Sequence, residues 1–286
     1  MALQLLREVT SMRSRPFGAA VIACLLLTHQ GATARTWRIL ADGTGDAPFL
    51  EAGMDSAAAG DTVLVAPGNY VIGPIAVVGG IVLRSEAGPL QTKLLGFPGV
   101  DAGLACSQLR SPTEICGFWF EGFDDVGFTG EGAISAAGCY FLTIRECVFS
   151  NNAKAGVGLS ANESLWLENN TFVGNSHSVY STFVGTGAAT NNIFWDPVVG
   201  ANSFNAFCND VLHLADIPIP WRIANFSADP QFCGEHDYRV LTTSPCASGN
   251  TPLSTDCGLV GALPAECTPT RVEARSWGAV KALYRN

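Results

Sequence analysis

The sequence predicts an all-β solenoid, a chain whose coils stack on one another. A seven-residue phrase that begins at Glu146 recurs at Asn169 and, in a shorter form, at Asn191. The fourth residue of each copy is a phenylalanine: Phe149, Phe172 and Phe194. These lie 23 and 22 residues apart (172 − 149 and 194 − 172). A period in the low twenties, built from β-branched, aromatic, Asn and Gly residues, is typical of stacked β coils.

Alternating polarity indicates β-strands within each repeat. Leu142 and Ile144 precede Phe149 at the same positions at which Leu165 and Leu167 precede the next phenylalanine. Period-two alternation places these aliphatic side chains inside the solenoid and the intervening ones outside. The residues predicted to face outward are Thr143, Arg145, Trp166 and Glu168.

The paired asparagines at the bends are predicted to stack from coil to coil. Asn169 shares its register with Asn191, and Asn170 shares its register with Asn192. Stacked Asn side chains can hydrogen-bond along such a ladder, and Asn also suits turns, which explains its recurrence here.

One coil is predicted to be longer than the others. Phe118 precedes its expected counterpart Phe149 by 31 residues (149 − 118), which is one coil plus an excursion. The excess corresponds to Glu121–Glu131, a segment rich in Gly and acidic residues that is predicted to form a loop.

A short helix is predicted ahead of the repeats. Asp46 can cap it, Pro48 suits its first turn, and apolar residues recur at helical spacing from Phe49 to about Ala58. The helix would cover the open end of the stack, where strand edges and apolar core would otherwise face water.

Three segments carry a resemblance to a known group of proteins. The run from Asp46 to Tyr70, the Asn-Asn-x-Phe coils and Ser227–Phe232 resemble the pectate-lyase-like, secreted bacterial right-handed parallel β-helix proteins. The resemblance covers nearly all of residues 36–262. It implies a single-stranded right-handed parallel β-helix solenoid with an N-terminal capping helix, which we expect to span residues 36–267 with disulfide-rich C-terminal coils. It does not specify an activity, because one fold hosts many functions.

The N-terminus is predicted to be an export signal over residues 1–34. Arg7, Arg13 and Arg15 precede an apolar run, and Ala32-Thr33-Ala34 makes a cleavage site, so we expect cleavage after Ala34. The apolar run is too short to span a bilayer. A lipoprotein cleavage box ending at Cys24 is the alternative, but the residues after this cysteine stay apolar. The expected location is secreted or on the outer cell surface.

The charge balance argues against nucleic acid as a partner. The chain has 16 basic and 25 acidic residues; the signal takes three Arg and one Glu, which leaves 13 and 24 and a net charge of −11. Such an acidic chain has no electrostatic footprint for nucleic acid or anionic lipid.

Nine of the ten cysteines remain after cleavage, in a compartment that permits disulfides. Stacked coils lie about 4.8 Å apart, within disulfide reach, so cysteines in equivalent positions are the first candidates. The expected pairs are Cys116–Cys147, Cys106–Cys139 and Cys246–Cys257, and the pairing of Cys208, Cys233 and Cys267 stays open. Cys/His clusters with zinc spacing do not occur in the sequence, so neither a metal nor a cofactor is expected.

Catalytic signals are weak. The resemblance would make Arg145 a lyase base, but an ion pair with Glu168 on the solvent side is the favoured interpretation. Asp124-Asp125 resembles the paired aspartates of a glycoside hydrolase, yet its Gly-rich setting favours a solvated turn; a loose Ca²⁺ site with Glu121 or Glu131 is a further alternative. The histidines His177, His213 and His236 accompany no nucleophile motif.

Tryptophan is the better functional signal. Trp166 is predicted to face outward, and Trp119 and Trp195 each follow a repeat phenylalanine. Exposed indole faces on a rigid ladder could stack against sugar rings of a polysaccharide or a cell-surface glycan. The alternative is that loops cover them.

The C-terminal residues 268–286 are predicted to be a linker and a tail. Trp277, Val280 and Tyr284 share one helical face in a locally basic segment, which suggests a docking or export signal; a frayed terminus is the alternative.

The sequence therefore predicts a secreted β-helix scaffold that binds glycans or mediates adhesion, without an evident catalytic site. A polysaccharide lyase or glycoside hydrolase of the same fold is the alternative.

Overall fold

The computed structural model describes residues 33–100, 102–123, 132–160, 164–182, 187–200, 204–212, 214 and 225–267. Residues 1–32 of the predicted signal, the C-terminal tail, the Asp124-Asp125 pair, Glu131 and His213 lie outside the described residues.

Three parallel sheets form a β-helix, and between residues 62 and 199 each coil contributes one strand to each sheet in the order A, B, C. Sheet A consists of Thr36–Ile39 (β1), Thr62–Val65 (β2), Val82–Ser85 (β5), Thr113–Cys116 (β8), Leu142–Arg145 (β11), Leu165–Glu168 (β14), Gly187–Thr190 (β17) and Phe204–Phe207 (β20). Sheet B consists of Gly68–Val71 (β3), Thr92–Leu95 (β6), Trp119–Glu121 (β9), Val148–Ser150 (β12), Thr171–Val173 (β15), Ile193–Phe194 (β18) and Asp210–Val211 (β21). Sheet C consists of Ile75–Ala76 (β4), Leu104–Ser107 (β7), Gly132–Ala137 (β10), Ala155–Ser160 (β13), His177–Ser181 (β16) and Val198–Val199 (β19). The predicted all-β solenoid is confirmed.

A column of phenylalanine rings runs through the core. Phe149 stacks on Phe172 with ring centroids 4.7 Å apart, and Phe172 stacks on Phe194 at 5.2 Å. All three side chains are fully buried. The predicted repeat register is therefore confirmed from β12 to β18, and the aliphatic residues between the outward positions are buried as expected.

The expected register of the preceding coil is wrong by two residues. Phe149 pairs and stacks with Phe120, at 4.9 Å, rather than with Phe118. The turn between sheets A and B fixes this alignment, because its first residue has a positive φ in successive coils. Gly117 and Glu146 hold that position, as Asn169, Asn191 and Cys208 do in later coils. Phe118 thus matches Cys147, because each lies two positions after the end of its sheet A strand, β8 for Phe118 and β11 for Cys147.

Buried asparagines form the predicted ladder at this turn. Asn170 donates from its side-chain Nδ2 to Oδ1 of Asn192, at 3.0 Å, and Asn192 repeats the contact with Asn209 at 2.9 Å. The ladder continues to Asn225. Asn169 and Asn191 share a register as expected, but they lie outside this ladder and bind the C-terminal part of the chain.

The capping helix, Leu50–Ser56 (α1), is shorter than predicted. Its apolar residues Leu50 and Met54 are buried over the first coil, as the capping role requires. Asp46 is not its cap: the carboxylate accepts a hydrogen bond from the backbone N–H of Arg38 at 2.7 Å, and Phe49 occupies the N-cap position without a side-chain hydrogen bond.

The cysteine-rich residues 226–267 are here called the C-terminal arm. The arm begins with a last rung of sheet B, where Phe226 bridges Asp210, and then folds back over sheet B instead of adding regular coils. The arm contains Phe232–Gly234 (β22), Asp237–Leu241 (β23) and Ala265–Cys267 (β24), and β22 pairs antiparallel with β23. The arm packs against the outward side chains of sheet B, among them Trp119 and Val148.

Candidate functional site

The three candidate tryptophans lie in different environments, and Trp119 is covered. Its side chain is 5% exposed, and its indole N–H donates to the Ser150 hydroxyl at 2.8 Å. The Lys93 ammonium lies 3.8 Å from the ring centroid, and the Tyr238 ring of the arm packs at 5.5 Å. Because every part of the ring is occupied, Trp119 does not offer an open face to a ligand.

Trp195 is half-buried at the end of β18. It packs against a second apolar cluster that joins Ile193 of sheet B to Phe226 and Val260 of the arm. The arm therefore covers this tryptophan too, and the alternative that chain segments cover the indoles holds for two of the three.

Trp166 faces outward from β14 as predicted, between the buried side chains Leu165 and Leu167. Its ring lies nearly parallel to that of Phe141, with centroids 6.2 Å apart and 13° between the planes. Phe141 is 48% exposed, and its carbonyl accepts the Thr113 N–H at 3.0 Å, which fixes the turn. We call these two rings the aromatic platform.

An ion-pair cluster lies on the same face of sheet A as the platform. Arg145 donates to the Glu114 carboxylate at 2.7 and 3.1 Å and to Glu146 at 2.6 Å. The predicted ion pair between Arg145 and Glu168 is wrong, although Glu168 lies beside Arg145 on the neighbouring rung. In register, Glu114 lies beside Thr143, and Thr143 lies beside Trp166, so the cluster borders the platform.

The charge state of Arg145 does not suit a base. Burial acts to lower the pKa of its guanidinium, but the hydrogen bond and charge of Glu114, with the charge of Glu146, outweigh burial and raise the pKa above its ordinary value. The group stays protonated and engaged with two carboxylates. The interpretation of Arg145 as a structural ion-pair residue is therefore favoured over the lyase role.

Tyr140 extends the aromatic character of this edge. It directly precedes Phe141, and the Arg110 guanidinium lies 4.2 Å from its ring centroid. Arg110 is exposed. The platform is thus flanked by a cation–π pair on one side and by the Arg145 cluster on the other, a mixture of apolar faces and hydrogen-bonding groups.

The other chemical candidates are dispersed. Glu121 forms an ion pair with Lys93 at 3.2 Å. His177 contacts Tyr180 edge-on at 5.3 Å, and His236 is exposed. Within the described ranges, no group of three or more His, Cys, Asp or Glu side chains is placed to hold a metal ion.

A cavity of about 300 Å³ opens beside the capping helix. Phe49 and Val71 line it, both more than half exposed, together with Glu51 and Asn69. It brings no acid–base pair together.

All three expected disulfide pairs are wrong. Cys257 bonds with Cys208, and Cys233 bonds with Cys267. Cys246 keeps a buried thiol that donates to the Asp210 carboxylate at 3.3 Å.

Register explains the other two failures. Cys116 pairs with Arg145, so it lies two positions away from Cys147, and Cys106 pairs with Ala136 rather than with Cys139. These four cysteines keep thiols.

Comparison with known proteins agrees with this geometry. Residues 118–197 match the family described as right handed beta helix region. No curated protein and no solved structure matches the chain. Together with the three parallel sheets, the match identifies the fold as a right-handed parallel β-helix. Among the described helices, none is long and apolar enough to cross a membrane.

Two residues of the candidate site, Phe141 and Glu114, were not predicted from the sequence. Phe141 has a positive φ of 57°, which the pattern of an aromatic residue before a strand does not reveal. Glu114 could have been found from the corrected register, since it lies on the same outward rung series as Trp166.

Proposed function

We propose that the protein is an extracellular β-helix scaffold that binds glycans on the outward face of sheet A. The observation that carries the proposal is the aromatic platform, in which Phe141 and Trp166 offer adjacent, nearly parallel rings on a rigid sheet. Aromatic faces combine a large apolar surface with little conformational entropy to lose, which suits stacking against sugar rings.

Polar groups beside the platform support the same function. Glu114 and Glu146 offer carboxylate oxygens to sugar hydroxyl groups, and Thr143 offers a hydroxyl on the rung between Glu114 and Trp166. Because Arg145 holds both carboxylates, they are pre-positioned before a ligand arrives. A few fixed polar groups around an apolar surface are typical of specific small-ligand sites.

A glycan array followed by calorimetric titration tests the proposal. Wild-type protein should bind at least one class of oligosaccharide. The Phe141→Ala and Trp166→Ala variants should each weaken binding about tenfold or more, because burying one aromatic side chain contributes roughly 1.5–3 kcal/mol.

Phe207→Ala is the matched control. Phe207 is also an outward aromatic residue on sheet A, 53% exposed, but it lies on a later strand than the platform. This variant should bind like the wild type. Equal loss of binding in all three variants, or no binding by any protein, would contradict the proposed site.

Cleavage of polysaccharides is the second candidate function. It is favoured by the two carboxylates that flank Arg145 beside the platform, since glycoside hydrolysis uses a pair of carboxyl groups. A depolymerisation assay with Glu114→Gln and Glu146→Gln tests it. Chain cleavage that disappears in these variants, or in variants of Asp124 and Asp125, would favour the enzyme over the scaffold.

A further inference from the structure

The outward face of sheet B carries an apolar strip that an ordinary β-helix face would expose to water. Trp119, Val148 and Ile193 point away from the coil core, yet they are 5%, 0% and 1% exposed. Tyr238, Leu263 and other residues of the C-terminal arm cover them. The burial of this strip therefore depends on the position of the arm.

Hydrogen bonds join arm and solenoid at Asp210, which accepts from the Ala228 N–H and the Cys246 thiol, and at residues 257–262 of the arm. Asn169 donates to the Leu259 carbonyl at 2.9 Å, and Asn191 donates to the Cys257 carbonyl at 3.0 Å. The Ala262 N–H donates to the Thr171 hydroxyl at 2.9 Å. These contacts align the arm with the rungs below it, but each is a single bond at a partly exposed position.

One covalent bond joins this same segment to the solenoid. Cys208 directly follows β20, and its disulfide to Cys257 closes a stretch of 49 residues. The second disulfide, Cys233–Cys267, joins β22 to β24 and so fixes the arm internally. Both disulfides of the described residues thus serve the arm.

The remaining thiols of the solenoid are protected from the same oxidation. Cys106, Cys116, Cys139 and Cys147 are buried, and burial raises the pKa of each thiol. Thiol–disulfide exchange requires thiolate and access, so these four sites react slowly. Cys246 belongs to the arm, and its burial against Asp210 depends on the closed arm. Among the described cysteines of the solenoid, Cys208 is the one that is not buried, so disulfide formation between solenoid and arm is directed to it.

We propose that the C-terminal arm is an oxidation-locked strap, which stays open in a reducing compartment and closes over the apolar strip of sheet B when Cys208 and Cys257 join. Closure forms one S–S bond while the two thiols give up two protons and two electrons. The acceptor is the disulfide of a thiol–disulfide oxidoreductase, which is reduced to a dithiol. The solenoid coils fold first, and the strip becomes buried only in an oxidising compartment.

Hydrogen exchange on the full chain, with and without dithiothreitol, tests the strap. Thiol titration confirms that both disulfides are reduced. We expect the amides of Gly261 and Ala262 to exchange roughly 30-fold faster or more after reduction, because a disulfide closing a loop of this length contributes at least a factor of that order. The amides of β12 and β15 should stay protected, while binding of a hydrophobic dye should rise.

Two variants sharpen the result. The Cys208→Ser/Cys257→Ser double variant should reproduce the open state without reductant. Cys116→Ser is the control, since it removes a thiol on sheet A that forms no disulfide, and it should respond to dithiothreitol like the wild type. Arm amides that stay protected after complete reduction would overturn the proposal. Loss of protection in β12 and β15 together with the arm would overturn it too, because the arm would then belong to the cooperative core.

Discussion

Single side chains hold the coils in register, and the buried asparagines show how. The Oδ1 atom of Asn192 accepts both the backbone and the side-chain N–H of Asn170, while its own Nδ2 donates to Asn209 and to the Leu167 carbonyl. Each such asparagine side chain forms hydrogen bonds with backbone groups at the turn of its own coil and at the turn of the neighbouring coil. The repeated Asn-Asn pair predicted this ladder, because a polar residue that recurs at every bend needs a partner at the same height.

Asn192→Ala should lower the free energy of unfolding by roughly 2–4 kcal/mol, because several buried donors and acceptors lose their partners. Chemical denaturation measures the effect. Asn205→Ala is the control: Asn205 is exposed on sheet A, and its loss should change stability by less than about 0.5 kcal/mol. Equal effects of the two substitutions would contradict the ladder's role.

Asp210 should make stability depend on pH. Burial raises the pKa of its carboxyl to about 7, while hydrogen bonds from Ala228 N–H and the Cys246 thiol oppose the shift. In the unfolded chain the pKa is near 3.9. The folded state therefore holds the proton more tightly, so this contribution to stability is complete below about pH 4 and is lost as the pH rises through about 7.

Unfolding measured from pH 4 to 8 tests this expectation. The free energy of unfolding of the wild type, relative to that of Asp210→Asn, should fall as the pH rises through this window. Asp229→Asn, which alters an exposed neighbour of the same cluster, should track the wild type. A difference between wild type and Asp210→Asn that stays constant with pH would show that Asp210 does not titrate there.

At the scale of elements, inward and outward positions within the strands were predictable, whereas the alignment across the turn before β9 was not. Alternation and the repeat period identified β11, β12, β14, β15 and β18 correctly, since inward positions must be apolar in every coil, but they did not identify the intervening strands of sheet C or β17. The alignment of β9 failed because Cys116 and Phe118 were aligned with Cys147 and Phe149 by residue type, although Phe149 pairs with Phe120. The alignment is fixed instead by a left-handed residue directly after each sheet A strand from β8 onward, and this residue can be Gly117, Glu146 or Asn169. Only backbone geometry reveals that these different residues are equivalent.

The phenylalanine column should carry much of the stability of the central coils. Phe172→Ala should lower the free energy of unfolding by about 3–5 kcal/mol, because the ring is fully buried between two others and leaves a cavity. Thermal or denaturant unfolding measures it. Phe207→Ala removes the same side chain from a position that is 53% exposed and should cost far less. A small loss for Phe172→Ala would mean that its ring is not enclosed.

The candidate site was predicted less well than the fold. Trp166 was identified because period two places it outside, but the same reasoning could not show that a distant part of the chain covers Trp119 and Trp195. The expected Cys246–Cys257 disulfide failed for the same reason, since Cys257 bonds with Cys208, which it meets only after the arm has folded back. Contacts between segments far apart in sequence leave no periodic signal.

For the whole molecule, net charge should influence which glycans bind. The chain carries a formal charge of −9, and the carboxylates beside the platform neutralise Arg145. Long-range repulsion should therefore disfavour anionic polymers, most strongly at low salt. We expect neutral oligosaccharides to bind better than uronate polymers of equal length at low ionic strength, with the difference shrinking as salt is added. Tight binding of anionic chains that weakens with salt would contradict this.

The stacking of coils on which the site depends is tested most directly by proton NMR of protein with selectively labelled phenylalanine. Nuclear Overhauser effects should join the rings of Phe149 and Phe172, and those of Phe172 and Phe194, whose centroids lie 4.7 and 5.2 Å apart. Phe149 and Phe194 should show no direct effect. The absence of nuclear Overhauser effects between successive rings would contradict the shared register of the coils, and therefore also the outward face of sheet A on which Trp166 lies.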